Sequence, residues 1–102
     1  MLRWLTERHR LPDFLGLGTQ KGGTSTLQAL LKTHPGVFLP PCKEVHYFSL
    51  HAEQPRQWYA DHYATAGRSQ RCGDITPYYL FHPEAPQRIQ ALLPRARMVV
   101  LL

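Results

Sequence analysis

The sequence predicts an α/β fold in which a parallel sheet is flanked by helices. Two patterns predict it. Short apolar runs alternate with segments whose apolar residues recur at helical spacing, the order expected of strand–helix–strand units. The last run, Met98-Val99-Val100-Leu101-Leu102, is apolar without interruption, the mark of a central parallel strand buried on both faces. With 102 residues, 43% hydrophobic and 19% charged, the composition is that of one small globular domain and not of a disordered chain.

Residues 1–12 read as a basic N-terminal extension carrying Arg3, Arg8 and Arg10. A first strand is expected over 13–17, where Asp13-Phe14-Leu15-Gly16-Leu17 is short and apolar. Gly18 to Thr24 is a glycine-rich turn. Thr24, Ser25 and Thr26 then supply helix-start chemistry for a helix over 25–33 with Leu27, Leu30 and Leu31 at helical spacing. Pro35-Gly36 cannot continue that helix. A second strand is expected at 37–39, closed by Pro40-Pro41, and the mixed segment from Lys43 to Leu50 is open between loop and short helix.

Gln54 to Ala64 reads as a helix whose aromatic stripe, Trp58, Tyr59, His62 and Tyr63, is the pattern of core packing. A third strand follows at 72–75 with a Thr76-Pro77 turn. A helix over 83–93 then places Ile89, Leu92 and Leu93 on one face, and the final strand covers 98–102.

Twelve Lys and Arg against seven Asp and Glu give a net charge of +5, a balance suited to an anionic partner. The basic residues are scattered, without a Lys/Arg tract or an RNA-binding signature, so no nucleic-acid partner is expected. No apolar run approaches the ~20 residues of a membrane span, and the first ten residues lack a signal peptide, so a cytoplasmic protein is expected. Cys42 and Cys72 are expected to be reduced. Cys42 and His46 lack further ligands at metal-like spacing, so no metal site is expected.

The strongest motif is Gly18-Thr19-Gln20-Lys21-Gly22-Gly23-Thr24-Ser25-Thr26-Leu27, between a predicted strand and a predicted helix. Its glycines allow tight turning and close approach to a ligand, and the first helical amides point outward without internal partners. Lys21 adds a mobile cation, and the hydroxyls of Thr24, Ser25 and Thr26 add donors. Each part suits a phosphate- or sulfate-like anion. The pattern G-x-x-x-x-G-K-[ST] of nucleotide triphosphatases is not met, because the lysine precedes Gly22-Gly23.

This loop resembles the 5′-phosphosulfate loop of sulfotransferases that use 3′-phosphoadenosine 5′-phosphosulfate (PAPS), especially the heparan sulfate and bacterial carbohydrate branch. The resemblance runs in register through the chain. Thr33-His34-Pro35 is similar to the family's helix-ending His-Pro. Lys43-Glu44-Val45-His46-Tyr47-Phe48 is similar to its Lys-Glu-x-x-Phe-Phe segment. Gly73-Asp74-Ile75-Thr76-Pro77-Tyr78-Tyr79-Leu80 is similar to its acidic-x-Ser/Thr-Pro-x-Tyr-Leu element. Leu93 to Leu102 is similar to the strand that leads to its 3′-phosphate site.

The resemblance implies a P-loop-like architecture, truncated here to a single partial domain over 1–102, and transfer of a sulfuryl group from PAPS to a hydroxyl or amine of a carbohydrate or small molecule. It implies a cofactor site at Gln20, Lys21, Gly22, Gly23, Thr24, Ser25 and Thr26. Lys21 would stabilise charge on the departing nucleotide, Glu44 would be the general base, and His46 would assist it. For Glu44 the alternative is a surface ion pair with Lys43 or Arg56, and for His46 a structural role. Tyr78 and Tyr79 either line the acceptor cleft or pack in the core. Ile75 stands where some polysaccharide sulfotransferases have a lysine, a departure from the closest form of the pattern. Relatives continue past the last strand into a 3′-phosphate site, so these 102 residues alone are expected to be inactive. Two other readings stand beside this one: a P-loop kinase or triphosphatase, for which Asp74 is the candidate strand-end acid, and a non-catalytic remnant.

Overall fold

The computed structural model describes residues 10–18 and 24–101. Four strands, β1 (Phe14–Gly18), β2 (Val37–Phe38), β3 (Arg71–Ile75) and β4 (Arg97–Leu101), form one sheet in the order β2-β3-β1-β4, and every pairing is parallel. Three α-helices connect them: α1 (Thr24–Lys32), α2 (Arg56–Asp61) and α3 (Ala85–Leu92), with a 3-10 turn at Pro77–Leu80 directly after β3. This is the predicted parallel α/β architecture.

The register explains why two glycines stand where they do. Phe14 pairs with Gly73 across β1 and β3, and a Cβ at Gly73 would lie 2.2 Å from the Phe14 ring. Gly18 has φ +150°, and a Cβ there would lie 2.2 Å from the carbonyl oxygen of Leu101. Only glycine fits where the end of β1 meets the end of β4.

The core sits between β1, β3 and the helices, where Leu15, Leu17, Tyr59, Tyr63, Tyr79, Ala85 and Ile89 are buried. Arg10 is tied to the body: its guanidinium donates to the carbonyls of Gly67 (2.7 Å) and Gln70 (2.6 Å). No described helix is long and apolar enough to cross a membrane.

Four sequence expectations are corrected. The helix expected over 54–64 is confined to Arg56–Asp61. Gln54 precedes a proline, which disfavours helical backbone, and Pro55 is itself extended at φ −70°, ψ 159°. The helix expected to bury Leu30 leaves it 64% exposed and buries Gln28 instead. The helix expected over 83–93 is Ala85–Leu92, with Glu84 at its N-cap. The fourth correction concerns β4. Among the described residues it is the edge strand and not a central one, and Met98 (46%), Val99 (40%) and Val100 (45%) are exposed.

Candidate functional site

All strands run parallel, so the segments leaving β1, β2 and β3 emerge at one end of the sheet, the carboxyl ends where open α/β sheets bind ligands. Gln20, Lys21, Gly22 and Gly23, and the side chain of Thr24, lie outside the described residues. Ser25 and Thr26, in the first turn of α1, are exposed, and no acidic residue stands in that turn. An exposed helix N-terminus with hydroxyls and no carboxylate suits an anion.

Gln28, one turn further along α1, is buried, and its side-chain amide donates to the carbonyls of Lys43 (2.5 Å) and Ile75 (3.3 Å). The helix that opens with Ser25 and Thr26 is therefore fastened to the segment carrying Glu44 and to the end of β3. The sequence signal for this was a polar residue interrupting the apolar face of a helix.

Glu44 and His46 lie in irregular backbone, which resolves the segment left open between loop and short helix as a loop. His46 adopts φ +58°, a left-handed conformation that costs a residue with a Cβ about 1–3 kcal/mol and persists only where its surroundings impose it. The turn brings His46 Nε2 to 3.0 Å from Glu44 Oε1 and His46 Nδ1 to 3.0 Å from Ser49 Oγ. Glu44 therefore pairs with His46, and not with Lys43 or Arg56 as the surface alternative held. With the ring proton on Nε2 donated to Glu44, Nδ1 accepts from the Ser49 hydroxyl. With both nitrogens protonated, Ser49 accepts from Nδ1 and can donate to the His46 carbonyl at 3.4 Å. The pair is half-buried and still reached by solvent.

Behind this loop lies a polar centre that the sequence reading underestimated. Asp74, near the end of β3, is wholly buried. Its Oδ2 accepts from the hydroxyls of Tyr59 (2.6 Å) and Tyr79 (2.7 Å), and its Oδ1 from that of Thr76 (2.7 Å). Burial pushes the Asp74 carboxyl above its ordinary range, opposed by the hydroxyls of Tyr59, Thr76 and Tyr79 and by the nearby His46. The same burial, with Asp74 alongside, holds the Tyr59, Tyr63 and Tyr79 phenols well above theirs.

Asp74 offers no exposed oxygen, which removes it as the strand-end metal ligand that a P-loop kinase reading requires. Tyr79 is buried and belongs to the core, whereas Tyr78 is half-buried with its ring 6.1 Å from that of His46. Of the expected aromatic stripe, Tyr59 and Tyr63 are core and Trp58 packs half-buried against it, whereas His62 is half-buried outside the core cluster. Tyr59 stacks on Tyr47 at 4.3 Å and meets Phe48 edge-on at 5.3 Å, so the loop carrying the pair rests on an aromatic floor. Cys42 is exposed and Cys72 buried, and both thiols are free.

No model of a protein family matches the chain. It is 33% identical over 95 residues to the membrane-associated sulfotransferase kil1 of Dictyostelium discoideum, covering 90% of this chain and 20% of that protein. It is 34% identical over 95 residues to human heparan sulfate glucosamine 3-O-sulfotransferase 6, covering 93% of this chain and 28% of that protein. Its fold matches a crystal structure of a sulfotransferase from Alicyclobacillus acidocaldarius with a TM-score of 0.79 and 26% identity, over 89% of this chain and 44% of that one. The chain thus spans less than a third of the length of those two relatives and under half of the solved structure. Over the residues they share, sequence and fold together show that this chain belongs to the sulfotransferase family.

Proposed function

We propose that the protein transfers a sulfuryl group from PAPS to a hydroxyl or amine of a carbohydrate or small molecule, with Glu44 as general base. The observation that carries this reading is the Glu44–His46 pair, 3.0 Å apart, at the same end of the sheet as the exposed start of α1. Ser25 and Thr26, with Gln20 to Thr24 ahead of them, would hold the 5′-phosphosulfate, and Lys21 would neutralise charge there. When bound, the donor supplies an activated sulfuryl group on a phosphosulfate anhydride.

The chain's own part is proton transfer and electrostatics. Glu44 accepts the proton of the attacking hydroxyl or amine, and His46 Nε2, hydrogen-bonded to the same carboxylate, fixes its direction. Ser49 in turn holds the imidazole through Nδ1. General-base help is worth about 10²–10⁴-fold, and positioned charge at the leaving group contributes comparably.

The test is sulfuryl transfer by the full-length protein from PAPS carrying a labelled sulfuryl group to a panel of sugar hydroxyl and amine acceptors. Glu44→Gln keeps the shape and removes the proton acceptor, so kcat is expected to fall about 10²-fold or more while donor affinity stays level. Lys21→Ala removes the charge placed at the leaving group and is expected to depress turnover far more than stability. Wild-type turnover in Glu44→Gln, with chemistry limiting the rate, would return Glu44 to being a surface charge.

A further inference from the structure

The polar centre behind the loop is joined to it by hydroxyls whose protons all point one way. Tyr79 gives its single proton to Asp74 at 2.7 Å, which leaves its oxygen free to accept the backbone N–H of Tyr47 at 2.8 Å and, more distantly, that of Phe48 at 3.4 Å. Thr76 likewise gives its proton to Asp74 at 2.7 Å and accepts the backbone N–H of His46 at 3.4 Å. Both Asp74 oxygens accept from these hydroxyls, so Asp74 sets the direction of both chains. The amides they capture, at His46 and Tyr47, flank the residue with φ +58° whose turn brings the imidazole to Glu44.

We propose that Asp74 is the positioning residue for the Glu44–His46 pair, acting through the hydroxyls of Tyr79 and Thr76 on the two amides that hold the left-handed turn. Asp74 is wholly buried, and its side-chain hydrogen bonds go to Tyr59, Thr76 and Tyr79 and not to Glu44. Its effect is on where the carboxylate and imidazole point. This gives the Asp-x-Thr-Pro-x-Tyr run a use that does not depend on contact with an acceptor: positions 74, 76 and 79 are the three members of the relay, and Pro77 starts the 3-10 turn that carries Tyr79 back over Asp74. The catalytic consequence rests on the sulfuryl-transfer reading. The held geometry does not.

The test measures amide hydrogen exchange and steady-state sulfuryl transfer from PAPS in Tyr79→Phe, Thr76→Val and the conservative Thr76→Ser. In Tyr79→Phe the Tyr47 amide is expected to exchange roughly tenfold faster or more, while the β1 amides of Leu15 and Leu17 keep wild-type rates. The same variant is expected to lose about 10- to 100-fold in kcat with little change in donor KM, since misplacing a catalytic group acts on the transition state. Thr76→Ser should retain what Thr76→Val loses, with the His46 amide as the reporter, and this pair carries the comparison if Tyr79→Phe does not fold.

A Tyr47 amide as protected in Tyr79→Phe as in wild type overturns the relay. A loosened Tyr47 with unchanged kcat overturns positioning and leaves the hydroxyls as core structure. A full-length wild-type protein that transfers no sulfuryl group to any acceptor, while Tyr79→Phe still loosens Tyr47, overturns the functional reading and with it the catalytic use of the relay, although the held turn is then upheld by the exchange data alone.

Discussion

β3 and β4 both pair with β1, in parallel, yet they use their side chains in opposite ways. β3 reads Arg-Cys-Gly-Asp-Ile and is buried from Cys72 onward, with its aspartate wholly enclosed. β4 reads Arg-Met-Val-Val-Leu and leaves Met98, Val99 and Val100 at 40% exposure or more. Place in the sheet decides this, and hydropathy does not. β3 lies between two strands beneath an aromatic layer from α2 and the 3-10 turn, whereas β4 is the edge strand of the described residues. A polar residue tolerates the interior of β3 because each carboxylate oxygen has hydroxyl donors, and no buried polar side-chain atom among the described residues lacks a partner.

Four measurements break or sharpen that contrast. The largest effect is expected at Asp74: Asp74→Ala leaves the hydroxyls of Tyr59, Thr76 and Tyr79 without their acceptor and should cost about 3–5 kcal/mol in denaturant unfolding. A loss under about 1 kcal/mol would mean that these hydroxyls find other partners and that the centre is not a stability determinant.

The next is alkaline pH. Tyr59, Tyr63 and Tyr79 have folded-state values raised above the ordinary value of 10.0. Below about pH 10 folded and unfolded chains both keep these protons, so the stability is fully present. Above it the unfolded chain releases them while the folded one holds on, so stability should fall by about 1.4 kcal/mol per pH unit for each tyrosine. Urea midpoints measured on either side of this boundary check it, with tyrosinate absorbance as the reporter of which phenols have titrated.

Gly73→Ala comes third. Its Cβ would meet the Phe14 ring at 2.2 Å, and the ring must move, at an expected cost of about 1–3 kcal/mol. The smallest effect is expected on β4, where Val99→Thr keeps a β-branched side chain on an exposed face and should change stability by less than about 0.5 kcal/mol. A cost of about 1 kcal/mol or more there would show that a further layer covers β4.

What the sequence disclosed and what it withheld divide along the same line. Period and punctuation made the strands and most of the helices legible, because apolar spacing and the prolines at 35, 40 and 41 act locally, whereas Pro55 was overlooked and the helix after it was drawn too long. The pairing of Glu44 with His46 was legible as two neighbouring titratable residues, but the turn that joins them was not, since the left-handed φ at His46 is imposed by Thr76 and Tyr79 from another segment. Gln28 was passed over, and Asp74 was read only as a motif acid or strand-end acid, for a related reason: a buried polar residue shows its use only when its partners, distant in sequence, are in place. The Met98 to Leu102 run misled because hydropathy records what a strand can bury and not what stands beside it.

The sheet order has a kinetic consequence. Phe14 of β1 takes its partners from β3, at Gly73, and from β4, at Arg97. Among the described residues the first strand is thus completed only by the last, and the loop-closure entropy of both pairings must be met before β1 is held on either side. Until Arg97 to Leu101 has emerged, Leu15 and Leu17 have one strand edge open, the condition in which nascent α/β chains are most exposed to aggregation. Asp13 offers a partial hold in that interval: its carboxylate accepts the amide of Cys72 at 2.8 Å and its own amide donates to the Cys72 carbonyl at 2.7 Å, fastening β1 to β3 before β4 arrives.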